Sequence, residues 1–409
     1  LEYFNRLAAL TYHHWNAGHR DAAALTPAAM RALAELPAHE HVRASDIVDW
    51  AASTPVLPPQ LDPQSQFGDP PVTVYNDGCL VIDVYFWLNS STSIHQHAFA
   101  GAFFVLEGAS VETEYDFETE RRYSQSLSTG RLHRRKILLN KQGDCRPILP
   151  GAEFIHSLFH LDYPSVSLVV RTNVLSSQPQ LEYWWPRIAI QTSGGATPLQ
   201  RRRLELLTML GACRPAELPR FLRTIFAGAS PQEVLWAWQR AVPYLGDRSG
   251  QWQELLHEQR QELGPLIDDA LDSFDAEGRL EALAAMRQCA TSSPSRLLLA
   301  LLLNARGPRD LLTLIEAHSQ CADPIGEALR MAAQLLSEAP LSARGDLLPP
   351  QDFPLALSIL RQFLREVPLA EVPASLAAEH REISAQSVHE TCRLLAESTL
   401  FRNLCQPAH

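Results

Sequence analysis

Between residues 72 and 185 the chain runs in short stretches of β-branched and aromatic residues, and from about residue 197 its apolar residues fall at helical spacing. The two periods bury different faces, so a β core and a helical core must be built separately. The β runs are Val72-Thr73-Val74-Tyr75, Leu80-Val81-Ile82-Asp83-Val84-Tyr85-Phe86-Trp87, Ala102-Phe103-Phe104-Val105-Leu106 and Ser165-Val166-Ser167-Leu168-Val169-Val170. Asn76-Asp77-Gly78, Glu107-Gly108 and Gln142-Gly143-Asp144 punctuate them as turns. Short strands at such spacing predict a β-sandwich or small barrel.

Helix signals bracket this region. Thr26-Pro27 reads as an N-cap followed by Pro at the first helical position, and Pro55, Pro58, Pro59, Pro63, Pro70 and Pro71 then forbid a continued helix. Downstream, Thr197-Pro198 and the capping box Ser230-Pro231-Gln232-Glu233 start helices. Leu297 to Leu303 and Leu311 to Ile315 read as buried helices joined by Asn304-Ala305-Arg306-Gly307-Pro308, with more helix over 353–363 and 384–401. No repeat of fixed length emerges, which suits an irregular stack of helical hairpins. At 409 residues the chain is long enough for two or three folding units. The expected fold is α+β and multidomain: a helical arm with a Pro-rich linker over 1–65, a β-barrel over 66–190 and an all-α domain over 191–409.

A formal charge of −11 leaves no global footprint for nucleic acid or anionic lipid. The basic runs Arg131-Leu132-His133-Arg134-Arg135-Lys136 and Arg201-Arg202-Arg203 lack interleaved aromatics and read as a solvated strand face and a solvated helix start. No apolar run approaches the length of a membrane span. Seven scattered cysteines without a CxxC pair point to a reducing cytoplasm. The chain opens Leu1-Glu2-Tyr3-Phe4 without a Met, which leaves a trimmed start or a removed targeting peptide open. There is no Gly-rich phosphate loop, GxSxG elbow or HExxH, so nucleotide hydrolysis, serine hydrolysis and zincin chemistry have no support.

Chemistry concentrates in Ser93-Ile94-His95-Gln96-His97. Residues i and i+2 of a strand share a face, so His95 and His97 present two imidazoles to one point. His156 follows the turn Pro150-Gly151 on an apolar strand and can reach the same point. Three neutral imidazoles suit Fe, Zn, Cu or Ni and leave coordination positions open.

The segments SIHQHAFAGAFFVLEG (residues 93–108) and PGAEFIHSLFHLDYPSVSLVVRT (residues 150–172) resemble the motifs of the cupin superfamily, in its three-histidine, cysteine-dioxygenase-like branch. The likeness covers about 110 residues and implies a cupin-type barrel, a double-stranded β-helix, with Fe(II) held by His95, His97 and His156 and O2 as co-substrate. Where most cupins carry a Glu ligand this chain has Gly101 and Ala102. Ala102 and Arg171 replace the cross-linked Cys and Tyr found in many cysteine dioxygenases, Val169 replaces an active-site His, and no Arg lies near residues 70–73. These departures argue against free cysteine as substrate.

By strand parity and that alignment, Asp83, Tyr85, Trp87 and Arg171 face inward. Arg171 needs an anionic partner, either Asp83 or a ligand's carboxylate or phosphate. Tyr85 and Trp87 are aromatic wall or plain core. His160 shares the face of His156 as a partner to a ligand or as a half-buried residue, while Tyr12-His13-His14-Trp15 and His39-Glu40-His41 suit surface or capping roles. The expected activity is iron-dependent oxidation of a small anionic, thiol-containing or related substrate, with Arg171, Asp83 and Tyr85 at the catalytic site. Two other readings stay open: a non-catalytic sensor, and a Zn or Ni isomerase or hydrolase. The helical domain is open to homo-oligomer or protein contacts.

Overall fold

The computed structural model describes residues 2–16, 21–60, 67–88, 91–175, 179–244, 250–338, 353–379 and 384–405. Of the linker prolines expected above, Pro63 lies outside them. Four helices open the chain: α1 (Glu2–Asn16), α2 (Ala22–Glu35), α3 (Ala38–His41) and α4 (Ala44–Ser53). Helix α2 starts one turn before the expected Thr26 cap, and Pro27 sits inside it. The single ladder bond lost at Pro27 is outweighed by burial of Leu25, Ala28, Ala29 and Leu33. Thr26 Oγ1 instead donates to the carbonyl of Ile148 at 2.9 Å, tying α2 to the β region.

Eleven strands follow among the described residues: β1 (Pro71–Asn76), β2 (Leu80–Trp87), β3 (His95–Gln96), β4 (Gly101–Glu107), β5 (Ala109–Ser124), β6 (Leu127–Lys141), β7 (Cys145–Ile148), β8 (Ile155–His160), β9 (Ser165–Thr172), β10 (Leu181–Trp184) and β11 (Ile188–Gln191). They form a five-stranded sheet in the order β1-β2-β9-β4-β7 and a closed six-stranded antiparallel barrel, β10-β11-β6-β5-β8-β3.

The sheet is buried on both faces, which is why its strands read as continuous apolar runs. One face carries Ile82, Val84, Phe104, Leu168 and Val170 and packs against Phe4, Leu7, Leu25 and Leu33 of the N-terminal helices, which therefore form a layer on the sheet. The other face carries Phe103, Val105 and Val169 and meets Phe154 and Leu158 from the barrel wall. The closed barrel has its own interior of Ile94, Tyr115, Leu132, Ile155, Leu181, Tyr183 and Ala189. Strands β5 and β6, 16 and 15 residues long, exceed the expected short strands. Opposed charges support the projecting hairpin: Arg131 Nε lies 2.8 Å from Glu120, and Glu114 contacts Arg135 and Lys136.

From Pro198 the described residues form helices: α5 (Pro198–Cys213), α6 (Leu218–Phe226), α7 (Pro231–Ala241), α8 (Gln251–Leu263), α9 (Pro265–Met286), α10 (Ser293–Asn304), α11 (Pro308–Ser319), α12 (Pro324–Glu338), α13 (Phe353–Leu364), α14 (Val372–Glu379), α15 (Ala385–Glu397) and α16 (Arg402–Cys405). The capping box at Ser230/Glu233 forms as expected, and the helix start expected at Thr197-Pro198 proves to carry a second one, Thr197/Gln200. Leu207, Leu222 and Trp238 pack against Ile188 and Ile190 of β11, whereas Leu283, Leu298 and Phe363 share a core with Val111, Phe159 and Leu161. The basic run on β6 is not wholly a solvated face. Arg134 binds Asp310 at 2.6 Å and the carbonyl of Asn304, because the helical region folds back over it. No helix among the described residues is long and apolar enough to cross a membrane.

Candidate metal centre between sheet and barrel

Strand β3 pairs with β8 so that His95 lies directly opposite His156. His97 follows β3 and bridges to Pro150, and its carbonyl accepts the amide of Gly151 at 2.8 Å. Gly151 has φ +68°, a conformation glycine adopts without strain, so the Pro-Gly turn anchors the second histidine before delivering the third. Alternation aims Gln96 the opposite way, into the barrel interior, where its Oε1 accepts the Tyr183 hydroxyl at 2.5 Å. The histidines therefore point out of the barrel that β3 and β8 help to close, and into the seam facing the five-stranded sheet.

One nitrogen of each of His95, His97 and His156 lies within 4.8 Å of the others, and all three residues are buried. His95 Nδ1 is 2.8 Å from the Ser93 carbonyl, and His156 Nδ1 is 2.8 Å from Glu112 Oε1. Both partners only accept, so each Nδ1 carries the hydrogen and each Nε2 turns a lone pair to the common point. His95 Nε2 is buried without a hydrogen-bond partner, and His97 Nε2 lies 2.9 Å from His156 Nε2. Two donors about 2.1 Å from one ion and at right angles lie about 3 Å apart, so this spacing suits neighbouring ligands of a single cation. Burial, reinforced by His156, lowers the His95 pKa to about 3, and burial with His95 beside it holds His97 well below the usual range. Neutral imidazoles are the form a metal requires.

Glu112 escaped the sequence reading. It is wholly buried, and its second oxygen accepts Asn140 Nδ2 at 3.0 Å, while Arg146 Nε donates to Asn140 Oδ1 at 2.8 Å. A carboxylate behind a ligating histidine fixes its tautomer and strengthens it as a donor. In Val111-Glu112-Thr113-Glu114 nothing separates this carboxylate from an exposed one until register places it beside His156. Gly101 explains why no fourth carboxylate enters from β4, since a Cβ there would overlap the Val170 carbonyl and the Arg171 backbone. Ala102 points to the opposite face, into the core shared with the N-terminal helices.

The other expected site residues gather across the seam. Arg171 Nε donates to Asp83 Oδ2 at 2.8 Å, Thr73 Oγ1 donates to Asp83 Oδ1 at 2.7 Å, and the guanidinium lies 4.6 Å over the Phe99 ring. Of the two partners considered for Arg171, the internal one is present. The Tyr85 hydroxyl lies 3.4 Å from Asp83 Oδ2, and burial pushes its pKa up. Trp87 stacks on Tyr85 at 5.7 Å and on His160 at 4.5 Å. His160 is fully buried, touches no ligating histidine, and has no hydrogen-bond partner at either ring nitrogen among the described residues. Burial lowers its pKa to about 3. The N-terminal histidines stay apart from the centre: His14 pairs with Glu35 at 3.2 Å, His39 stacks on Phe104, and His41 on Tyr3.

No protein-family model matches the chain, and no curated protein does. Among solved structures, Peruvianin-I, a cysteine peptidase from Thevetia peruviana latex, matches at 14% identity over 33% of this chain and 76% of its own, with a TM-score of 0.20. The DMSP lyase DddQ from Ruegeria pomeroyi DSS-3 matches at 16% identity over 34% of this chain and 79% of its own, with a TM-score of 0.19. Likenesses this slight carry no argument about fold or activity.

Proposed function

We propose that the facing β layers form a cupin-type double-stranded β-helix whose three histidines hold one Fe(II), and that the protein oxidises a small anionic substrate with O2. The observation that carries this reading is the commitment of both His95 and His156 Nδ1 to acceptors, which leaves their Nε2 lone pairs converging beside His97 with no carboxylate in the group. A bound iron supplies the one-electron steps that let O2 react with a closed-shell organic molecule, and three neutral ligands leave its cationic charge uncompensated, which favours an anionic donor.

The remaining roles fall to the chain's own side chains. Asp83, itself held by Thr73, fixes the direction of Arg171, and the guanidinium hydrogens not given to Asp83 or the Thr172 carbonyl bind the substrate's anionic end. Tyr85 stays protonated and directs its hydroxyl to Asp83 on the same wall. Trp87 and Phe103 keep the space apolar and water-poor. Glu112 holds His156 in its ligating tautomer.

Metal analysis after anaerobic purification tests the reading, with about one iron per chain expected and loss of that iron in His95→Ala at unchanged circular dichroism. Oxygen uptake with a panel of small thiols and carboxylic acids then identifies the substrate class. Iron retained by His95→Ala, or turnover that persists without oxygen, contradicts the proposal.

A further inference from the structure

One sizeable solvent space in the fold lies away from the histidines. A cavity of about 720 Å³ opens where the closed barrel meets α9, α10 and α16, and none of the three histidines lines it. It lies on the other side of the β3–β8 wall, at the mouth of the barrel, where ligand sites commonly form. Ile94, Leu132, Phe159, Trp185, Leu280 and Leu303 give it apolar walls.

Its polar groups are unevenly matched. Arg279 lines it, is 9% exposed, and gives one hydrogen bond, from Nε to the Thr399 carbonyl at 3.2 Å. Its Nη2 is buried with no acceptor, and no carboxylate pairs with Arg279 among the described residues. The charge that acts on it is Arg402, of like sign. Arg134 is already paired with Asp310 and Arg402 lies 3.9 Å from Asp275, whereas Arg306 adds further positive charge to the lining. Two carboxyl groups oppose them, Glu277 and Glu281. Glu277 is engaged by the amide of Trp185 at 2.8 Å, and burial raises its pKa to about 8, so it is largely neutral at pH 7. A buried guanidinium without an anion is costly, and a ligand that brings one removes the cost.

We propose that this cavity is a second binding site, for a small organic acid with an apolar body, its carboxylate seated at Arg279 and its hydrocarbon against the barrel-mouth side chains. The proposal is independent of the metal centre and of any activity there.

Calorimetric titration of the full chain with octanoate and with octanol tests it. Wild type is expected to bind octanoate at least about tenfold more tightly than octanol, the margin of a charge-assisted contact. Arg279→Gln is expected to abolish that preference, and Ala284→Phe, which fills the cavity from α9, to abolish binding of both. Octanoate affinity unchanged in His156→Ala places binding away from the histidines. Equal binding of octanoate and octanol by wild type, no octanoate binding, or octanoate affinity unaffected by Ala284→Phe or lost in His156→Ala overturns the proposal. The comparison within wild type stands even if Arg279→Gln fails to fold.

Discussion

Glu112 and His160 show how one environment assigns opposite tasks to buried polar groups. Glu112 accepts the Nδ1 hydrogen of His156, so Glu112→Gln exchanges a charged acceptor for a neutral one at nearly constant volume. Metal affinity is expected to fall about 10- to 100-fold, measured by chelator competition, with secondary structure retained. Unchanged affinity would deny Glu112 this role. His160 contributes through titration. Its pKa of about 3 in the folded state lies below the ordinary value of 6.5, so between those values the unfolded chain binds the extra proton. Stability is therefore level above about pH 6.5 and falls as the pH drops toward 3, by about 2–3 kcal/mol at pH 4.5 for one such group. His160→Phe is expected to reduce that slope, to which His95 and His97 also contribute, in urea unfolding of the metal-free protein; an unaltered slope would show that the group titrates normally.

Strands β4, β8 and β9 set the seam, and Gly101 marks how closely they approach. Gly101→Ala is expected to destabilise the protein by more than about 2 kcal/mol, because the new Cβ meets backbone that cannot move without breaking the β4–β9 ladder. A variant as stable as wild type in denaturant unfolding would mean that the pairing is looser than described. These strands were legible in the sequence because double burial gives unbroken apolar runs, and the His95/His97 and Pro150-Gly151 spacings were legible because strand parity alone aims the side chains. Of the β5–β6 hairpin only Arg131 to Lys136 was read as a strand face, since its outer half is charged and supported by cross-strand ion pairs that local hydrophobicity does not register. Strands β10 and β11, four residues each, were hidden by their length, and with them the closure of the barrel. Thr26-Pro27 misled because a strong local cap signal lost to packing of the helix against the sheet.

The helical half and the β half are fastened together as well as packed. Arg287 is 2% exposed and donates to three carbonyls of the β region, those of His160 at 2.5 Å, Leu88 at 2.6 Å and Asp162 at 2.8 Å. Arg287→Met is expected to cost at least about 3 kcal/mol, since all three buried carbonyls lose a charged donor. With Val111 and Phe159 inside the helical core, unfolding should proceed in one transition by fluorescence and circular dichroism alike. Separate transitions with Arg287→Met neutral would make the halves independent, the organisation that a division near residue 190 suggests from sequence alone. One metal ion held in the seam between sheet and barrel is the premise of every role assigned to the side chains there. Anomalous diffraction from crystals grown with Fe(II) measures this most directly: a single peak about 2.0–2.3 Å from Nε2 of His95, His97 and His156 is predicted, and an absent peak at saturating iron, or one away from those three atoms, contradicts it.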